Sequence, residues 1–198
     1  MPSREKPILM SAPMVRAILD GTKTQTRRVI KPQPVEGVYK YDGMTPTFAW
    51  RDEINTCRPA WPDVMNSYSP YGQPGDRLWV RETWRDLNGV QYRADTDSHG
   101  PVDGSADAES PNWRPSIFMP RALSRITLEI TDVRVQRVQE ISMHDAMDEG
   151  VGFPKYSQFE QGSHLVGAFR DLWESINAKR GYDWASNPWV WALTFKRI

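Results

Sequence analysis

The 198-residue chain has one cysteine, Cys57, and three histidines, His99, His144 and His164, set far apart. A lone cysteine excludes an internal disulfide framework and any cysteine-based structural zinc site, and it suits a reducing compartment. A cytoplasmic location is therefore expected. Scattered histidines offer no cluster for a catalytic zinc, so no metal is expected. No apolar run approaches the roughly 20 residues that span a bilayer, and no membrane partner is expected. The N-terminal stretch MPSREKPILM has no long apolar segment behind its charges, so no secretory leader is expected. P-loop, GxGxxG and GxSxG motifs are all missing, so no nucleotide cofactor and no nucleophile elbow are indicated. Net charge is missing too: 25 Lys and Arg stand against 25 Asp and Glu. That balance argues against indiscriminate coating of nucleic acid.

What is present in excess is tryptophan, with nine residues beside 16 prolines. Such side chains supply large flat apolar surfaces, for a core or for a planar ligand. The zero net charge also hides segregation. Residues 1–50 hold eight basic and four acidic residues, whereas 51–112 hold six and eleven. The sign then alternates: 113–137 is basic, 138–175 acidic and 176–198 basic. If the basic segments meet in the fold they make a basic cleft; otherwise segments of opposite sign pair across a solvated surface.

Pro7 to Met10 reads as a buried strand. Met14, Val15, Ile18 and Leu19 recur at helical spacing, Pro13 sits in the first turn and Gly21 stops the helix. Thr22 to Ile30 fits a strand, broken by Lys31-Pro32-Gln33-Pro34. Arg77 to Thr83 reads as a strand with Leu78 and Val80 on one face and Trp79 and Arg81 on the other, and Gln91-Tyr92-Arg93 as its hairpin partner. Ser124 to Val138 has the clearest alternation, through Ile126, Leu128 and Ile130. Ser142 to Asp145 forms a capping box that opens a short helix ending before Gly150. His164 to Asn177 is an amphipathic helix, and Trp189, Trp191, Leu193 and Phe195 line one side of a final strand. Two stretches, about 35–72 and 94–112, read as insertions in a single domain spanning 1–198, the first irregular and the second a mobile acidic loop. The order of elements predicts an α+β domain around a mostly antiparallel sheet or barrel.

The densest polar cluster is Gly21-Thr22-Lys23-Thr24-Gln25-Thr26-Arg27-Arg28. On a strand, Thr24, Thr26 and Arg28 share a face, and the Lys23 stem can fold back over it. A lysine beside a threonine hydroxyl activates it as a nucleophile when burial or nearby arginine charge lowers the lysine pKa. Equally, threonine is an ordinary strand residue and edge cations protect a sheet from aggregation.

The run Ala17 to Arg28 resembles the signature Ile-Leu-x-Gly-x-Lys-Thr-x-Thr-x-Arg of ASCH-domain proteins. Gly75-Asp76 resembles that family's second motif, and Ile141 to Val151, with Ala146 and Glu149-Gly150, resembles its later helix. Together with Leu78 to Trp84 and Asn187 to Trp191, the set looks like the longer ASCH proteins of phages and prophages. The resemblance implies a PUA-like small, mostly antiparallel β-barrel flanked by short helices. It implies a modified nucleoside or RNA as partner, with no cofactor. One small enzyme type of the family is an amidohydrolase of N4-acetylcytidine. By its pattern the catalytic residues fall on Lys23, Thr26 and Glu149: Thr26 as nucleophile, Lys23 as base, Glu149 as proton donor. Substrate-binding roles are then expected for Thr24, Arg28, Trp79, Arg81, Glu82 and Trp84. Two other functions fit the same residues: a non-catalytic module that binds RNA or a modified base, and a ribonuclease using the same cleft. The sequence sets no oligomeric state.

Overall fold

In a computed structural model the described residues are 4–39, 47–51, 57–60, 68–87, 89–96, 112–151 and 161–198. Residues 97–111, most of the expected acidic loop, lie outside them.

The main sheet has five strands in the order β1-β6-β9-β10-β2. They are β1 (Glu5–Leu9), β2 (Gln25–Val29), β6 (Arg77–Arg81), β9 (Thr127–Arg137) and β10 (Trp189–Arg197). The β1–β6 pair is parallel and the other three are antiparallel. Helix α1 (Ala12–Leu19) buries Val15 and Ile18 against Ile8, Leu78, Val80, Leu128 and Leu193, so the sequence's helical stripe meets the inner face of the sheet. The result is the expected α+β arrangement, a mixed sheet with few helices. No backbone ladder joins β1 to β2 among the described residues. The two edges are close nonetheless: Arg28 on β2 donates from Nη2 to the Leu9 carbonyl at 2.6 Å. A side chain, rather than a closed ladder, spans that gap.

Strand β10 departs from the one-sided pattern read in its sequence. Trp191, Leu193 and Phe195 face the α1 core, while Val190 faces a second core with Val138, Ile141, Leu165, Phe169 and Trp173. It is buried on both faces because α3 (Gln161–Asn177) covers the side away from α1. Register shifts between Thr194 and Phe195, where Asp132 and Ile130 are the successive partners, leaving Thr131 as an extra residue. That bulge flips the side-chain parity of β9, so the buried residues run Leu128, Ile130 and then Val133.

The hairpin partner differs from expectation. Strand β8 (Val90–Tyr92) pairs with β7 (Trp84–Asp86), a separate short strand after β6. Within 35–72, read as irregular, the backbone forms a second antiparallel sheet of β3 (Val35–Tyr39), β4 (Thr47–Arg51) and β5 (Cys57–Ala60). Backbone pairing of short strands needs no alternating burial, and prolines and glycines between them hid the pattern.

Candidate functional site

Lys23 is placed by the end of α1. Gly21 adopts φ +75°, which turns the chain so that the Thr22 and Lys23 amides both donate to the Ala17 carbonyl, at 2.9 and 3.0 Å. The chain then bridges to the end of α2 (Met143–Asp148): the Thr24 amide donates to the Asp148 carbonyl at 2.8 Å, and Lys23 and Glu149 form an isolated antiparallel bridge. Helix α2 begins at the expected capping box. The Asp145 amide donates to Ser142 Oγ, and the Ser142 amide to Asp145 Oδ2. Gly150 closes the unit at φ +77°, where a β-carbon would stand 2.9 Å from Lys23 Cβ and 3.0 Å from Ala17 Cβ. Only glycine allows α1 and the Lys23 stem to approach this closely.

These contacts bring two distant charges together. Lys23 Nζ donates to Glu149 Oε2 at 2.7 Å, to the Glu149 carbonyl at 2.8 Å and to the Gln25 carbonyl at 2.7 Å. All three ammonium donors are thus used. The two side chains are 0% and 3% exposed. Burial pushes the Lys23 ammonium below its ordinary value, while the Glu149 charge and hydrogen bond pull it back part of the way. Arg27 Nη1 donates to Gln25 Oε1 at 2.6 Å and reaches Glu149 Oε1 at 3.2 Å; its Nη2 lies 3.2 Å from Asp145 Oδ2. The guanidinium also stands 5.7 Å from the Phe169 ring centroid. Asp145 is paired in turn with Arg134 at 2.9 Å, and these contacts hold its carboxyl far below the usual carboxylate range despite partial burial.

Glu149 and Thr26 line one cavity of about 460 Å³ between β2 and α3. Its apolar walls include Phe169, Trp173 and Trp191, and Arg27 and Arg28 also face it. Lys23 does not line it; the amine stands behind the Glu149 carboxylate. Arg28 is half-buried, and its Nε is buried with no partner among the described residues. Tyr71 shares the wall with it, and burial raises the Tyr71 phenol.

Of the residues expected from the sequence, Lys23 meets Glu149, and Thr26, Arg28 and Glu149 line the cavity; among the described residues no hydrogen bond joins the Thr26 hydroxyl to Lys23 or Glu149. Thr24 sits beside them but spends its backbone on Asp148 and Phe195 and does not face the cavity. Trp79, Arg81, Glu82 and Trp84 stand elsewhere. The guanidinium groups of Arg81 and Arg121 stand 4.8 and 6.0 Å from the Trp79 ring centroid. Glu82 is buried and accepts two hydrogen bonds from Arg125, at 2.9 and 3.0 Å. Trp84 is buried under Arg114. Sequence reading missed Arg27, Asp145, Tyr71, Arg180 and Tyr182. Arg27 lay inside the polar run, but strand parity set it opposite Thr26. Asp145 was visible only as a helix cap. Among the described residues no group of three or more His, Cys, Asp or Glu is placed to hold a metal ion, and no helix is long and apolar enough to cross a membrane.

No family model matches the chain, and no curated protein matches it. A solved structure that does match is a high-resolution crystal structure of an ASCH domain from Lactobacillus crispatus JV V101. It is 14% identical with a TM-score of 0.39, and the match covers 93% of this chain and 69% of that one.

Proposed function

We propose that the cavity binds a modified nucleoside and hydrolyses its exocyclic amide, with N4-acetylcytidine or a related N4-acylated nucleoside as substrate and Lys23, Thr26 and Glu149 as the catalytic residues. The observation that carries this reading is the dry Lys23–Glu149 pair at the foot of a cavity that also presents Thr26. Such a pair is costly to bury, and the 2.7 Å contact between Nζ and Oε2 is a direct path for a proton from the amine to the carboxylate. The Lys23 amine already touches the carbonyl of Gln25, the peptide that leads into Thr26. As a base it takes the Thr26 proton while Oγ bonds to the acyl carbon. Collapse breaks the C–N bond, and protonated Glu149 gives its proton to the leaving nitrogen. Water then attacks the Thr26 ester and delivers a proton to Glu149. Lys23 returns its proton to Thr26 Oγ, the acid leaves, and the ion pair re-forms. Trp173 and Trp191 offer flat walls for the base.

The test is incubation of the purified protein with N4-acetylcytidine and other N4-acylated nucleosides, followed by chromatography. Wild type is expected to release cytidine and the free acid, and Lys23→Ala and Thr26→Ala to release none; no turnover by wild type overturns the proposal. The full use of the Lys23 donors favours one second reading, a module that binds a modified base or RNA without chemistry. Its signature is saturable binding with no product.

A further inference from the structure

The charges around the cavity are not evenly matched. At its inner end Glu149 and Asp145 answer Lys23 and Arg27. At its outer end stand Arg28, Lys31 and Arg180, all lining the same space. Among the described residues none of these three has a carboxylate partner. Arg28 spends Nη2 on the Leu9 carbonyl and the Met10 sulfur, and its Nε is buried without a partner. Lys31 lies 5.2 Å from the centroid of the Tyr182 ring, which also lines the cavity. Burial presses the Arg28 guanidinium downward, Tyr71 and Glu149 pull it back part of the way, and the nearby charge of Arg180 adds to the downward push. Among the described residues Glu149 is the one carboxylate lining the same space, so these three cations, with Arg27, outnumber it there and concentrate positive potential, and low-dielectric neighbours strengthen it. An isolated exposed cation would carry no such meaning; the shared cavity and the unused Arg28 donor do.

We infer that the outer end of the cavity, formed by Arg28, Lys31 and Arg180, is a phosphate subsite, so that the molecule taken is a phosphate-bearing nucleotide rather than a neutral nucleoside. This rests on the reading of the cavity as a base-binding site and adds the ligand's second half. The cavity volume of about 460 Å³ is in the range of about 300–1,000 Å³ usual for small-molecule sites. Arginine's planar fork suits phosphate oxygens, and a lysine adds a point charge.

The experiment is calorimetric titration of the whole protein with cytidine and with cytidine 5′- and 3′-monophosphates at low and high salt. A monophosphate is expected to bind at least about tenfold more tightly than cytidine at low salt, with the gain shrinking as salt rises. The double variant Lys31→Gln/Arg180→Gln is expected to lose that gain, and Arg170→Gln, on α3 but off the cavity wall, to keep it. Equal affinity for cytidine and both monophosphates overturns the phosphate subsite and leaves the base-binding reading standing. If cytidine fails to bind, inorganic phosphate separates the two ideas. A rise in Tm over chloride at equal ionic strength, present in wild type and absent in the double variant, supports the subsite while the base-binding reading falls; no rise overturns the subsite as well. A short single-stranded RNA titrated alongside tells a free monophosphate from an RNA phosphodiester as the source of the phosphate.

Discussion

Two glutamates of this protein are buried against cations, and they differ in what surrounds them. Glu149 meets Lys23 and Arg27, whose side chains are 0% exposed, and it lines a cavity. Glu82 is 1% exposed but meets Arg125, 27% exposed, which hands on to Asp95, 53% exposed. The Glu82 chain of contacts leads out to water and ends there. The Glu149 pair is almost wholly buried, and the cavity that Glu149 lines is shared with Thr26, Arg28, Lys31 and Arg180. Burial of a carboxylate is therefore not what marks the site. The mark is a dry charge pair that adjoins open space, where a proton can reach a bound molecule.

The comparison can be broken most sharply at Glu149. Glu149→Gln is expected to abolish turnover, by about 10³-fold or more, and to cost about 3–5 kcal/mol because Lys23 and Arg27 keep buried charge without their partner; chromatographic turnover and denaturant unfolding measure the two. Next is Gly150→Ala, with an expected cost of about 2–3 kcal/mol from its positive φ and the push on Lys23 Cβ, and with turnover falling alongside; unchanged stability and rate would show that Lys23 tolerates displacement. On the other side, Arg125→Gln is expected to cost about 2 kcal/mol, since solvent reaches part of that pair, while turnover persists. A loss of activity there as large as at Glu149 would erase the distinction between the two regions.

The smallest effect concerns pH. Asp145 is held in its charged form by Arg134, the Ser142 cap and Arg27, so its folded pKa lies below the unfolded value of about 3.9. A depressed carboxylate contributes stability that is fully present above the unfolded pKa and is lost as pH falls toward the folded one. Unfolding free energy is expected to decline below about pH 4, and Asp145→Asn to flatten that decline. An identical slope in the variant would assign the acid sensitivity to other carboxylates.

Much of the local structure was legible. Helix α1 followed from Met14, Val15, Ile18 and Leu19 with Gly21 as its stop, and the α2 cap from Ser142 and Asp145. The inner face of β6 followed from Leu78 and Val80. Of the residues that the resemblance implied, Lys23 lies behind the cavity wall and Thr26 and Glu149 lie on it. Other features were hidden for identifiable reasons. Strand β10 is buried on both faces because α3 folds back over the side away from α1, which the strand's own alternation does not report. Trp79, Trp84 and Glu82 looked like ligand groups, yet each is occupied by an arginine. Tyr71, Arg180 and Tyr182 come from loops and helix ends, where no periodicity reports which way a side chain faces.

The sequence by itself determined what depends on neighbours in the chain: helix stops, caps, strand alternation, and a polar run rich in lysine, threonine and arginine. These are short-range matters of dihedral preference and side-chain period. Tertiary structure alone decided that Lys23 meets a carboxylate 126 positions away, that Glu82 does not line the cavity that Glu149 and Thr26 line, and that Arg28, Lys31 and Arg180 border one space. The physical reason is that a charge acquires its chemistry from its partners and from the water it has lost. Both are set by how α1, α2, β2 and α3 pack together, not by the residues on either side of it.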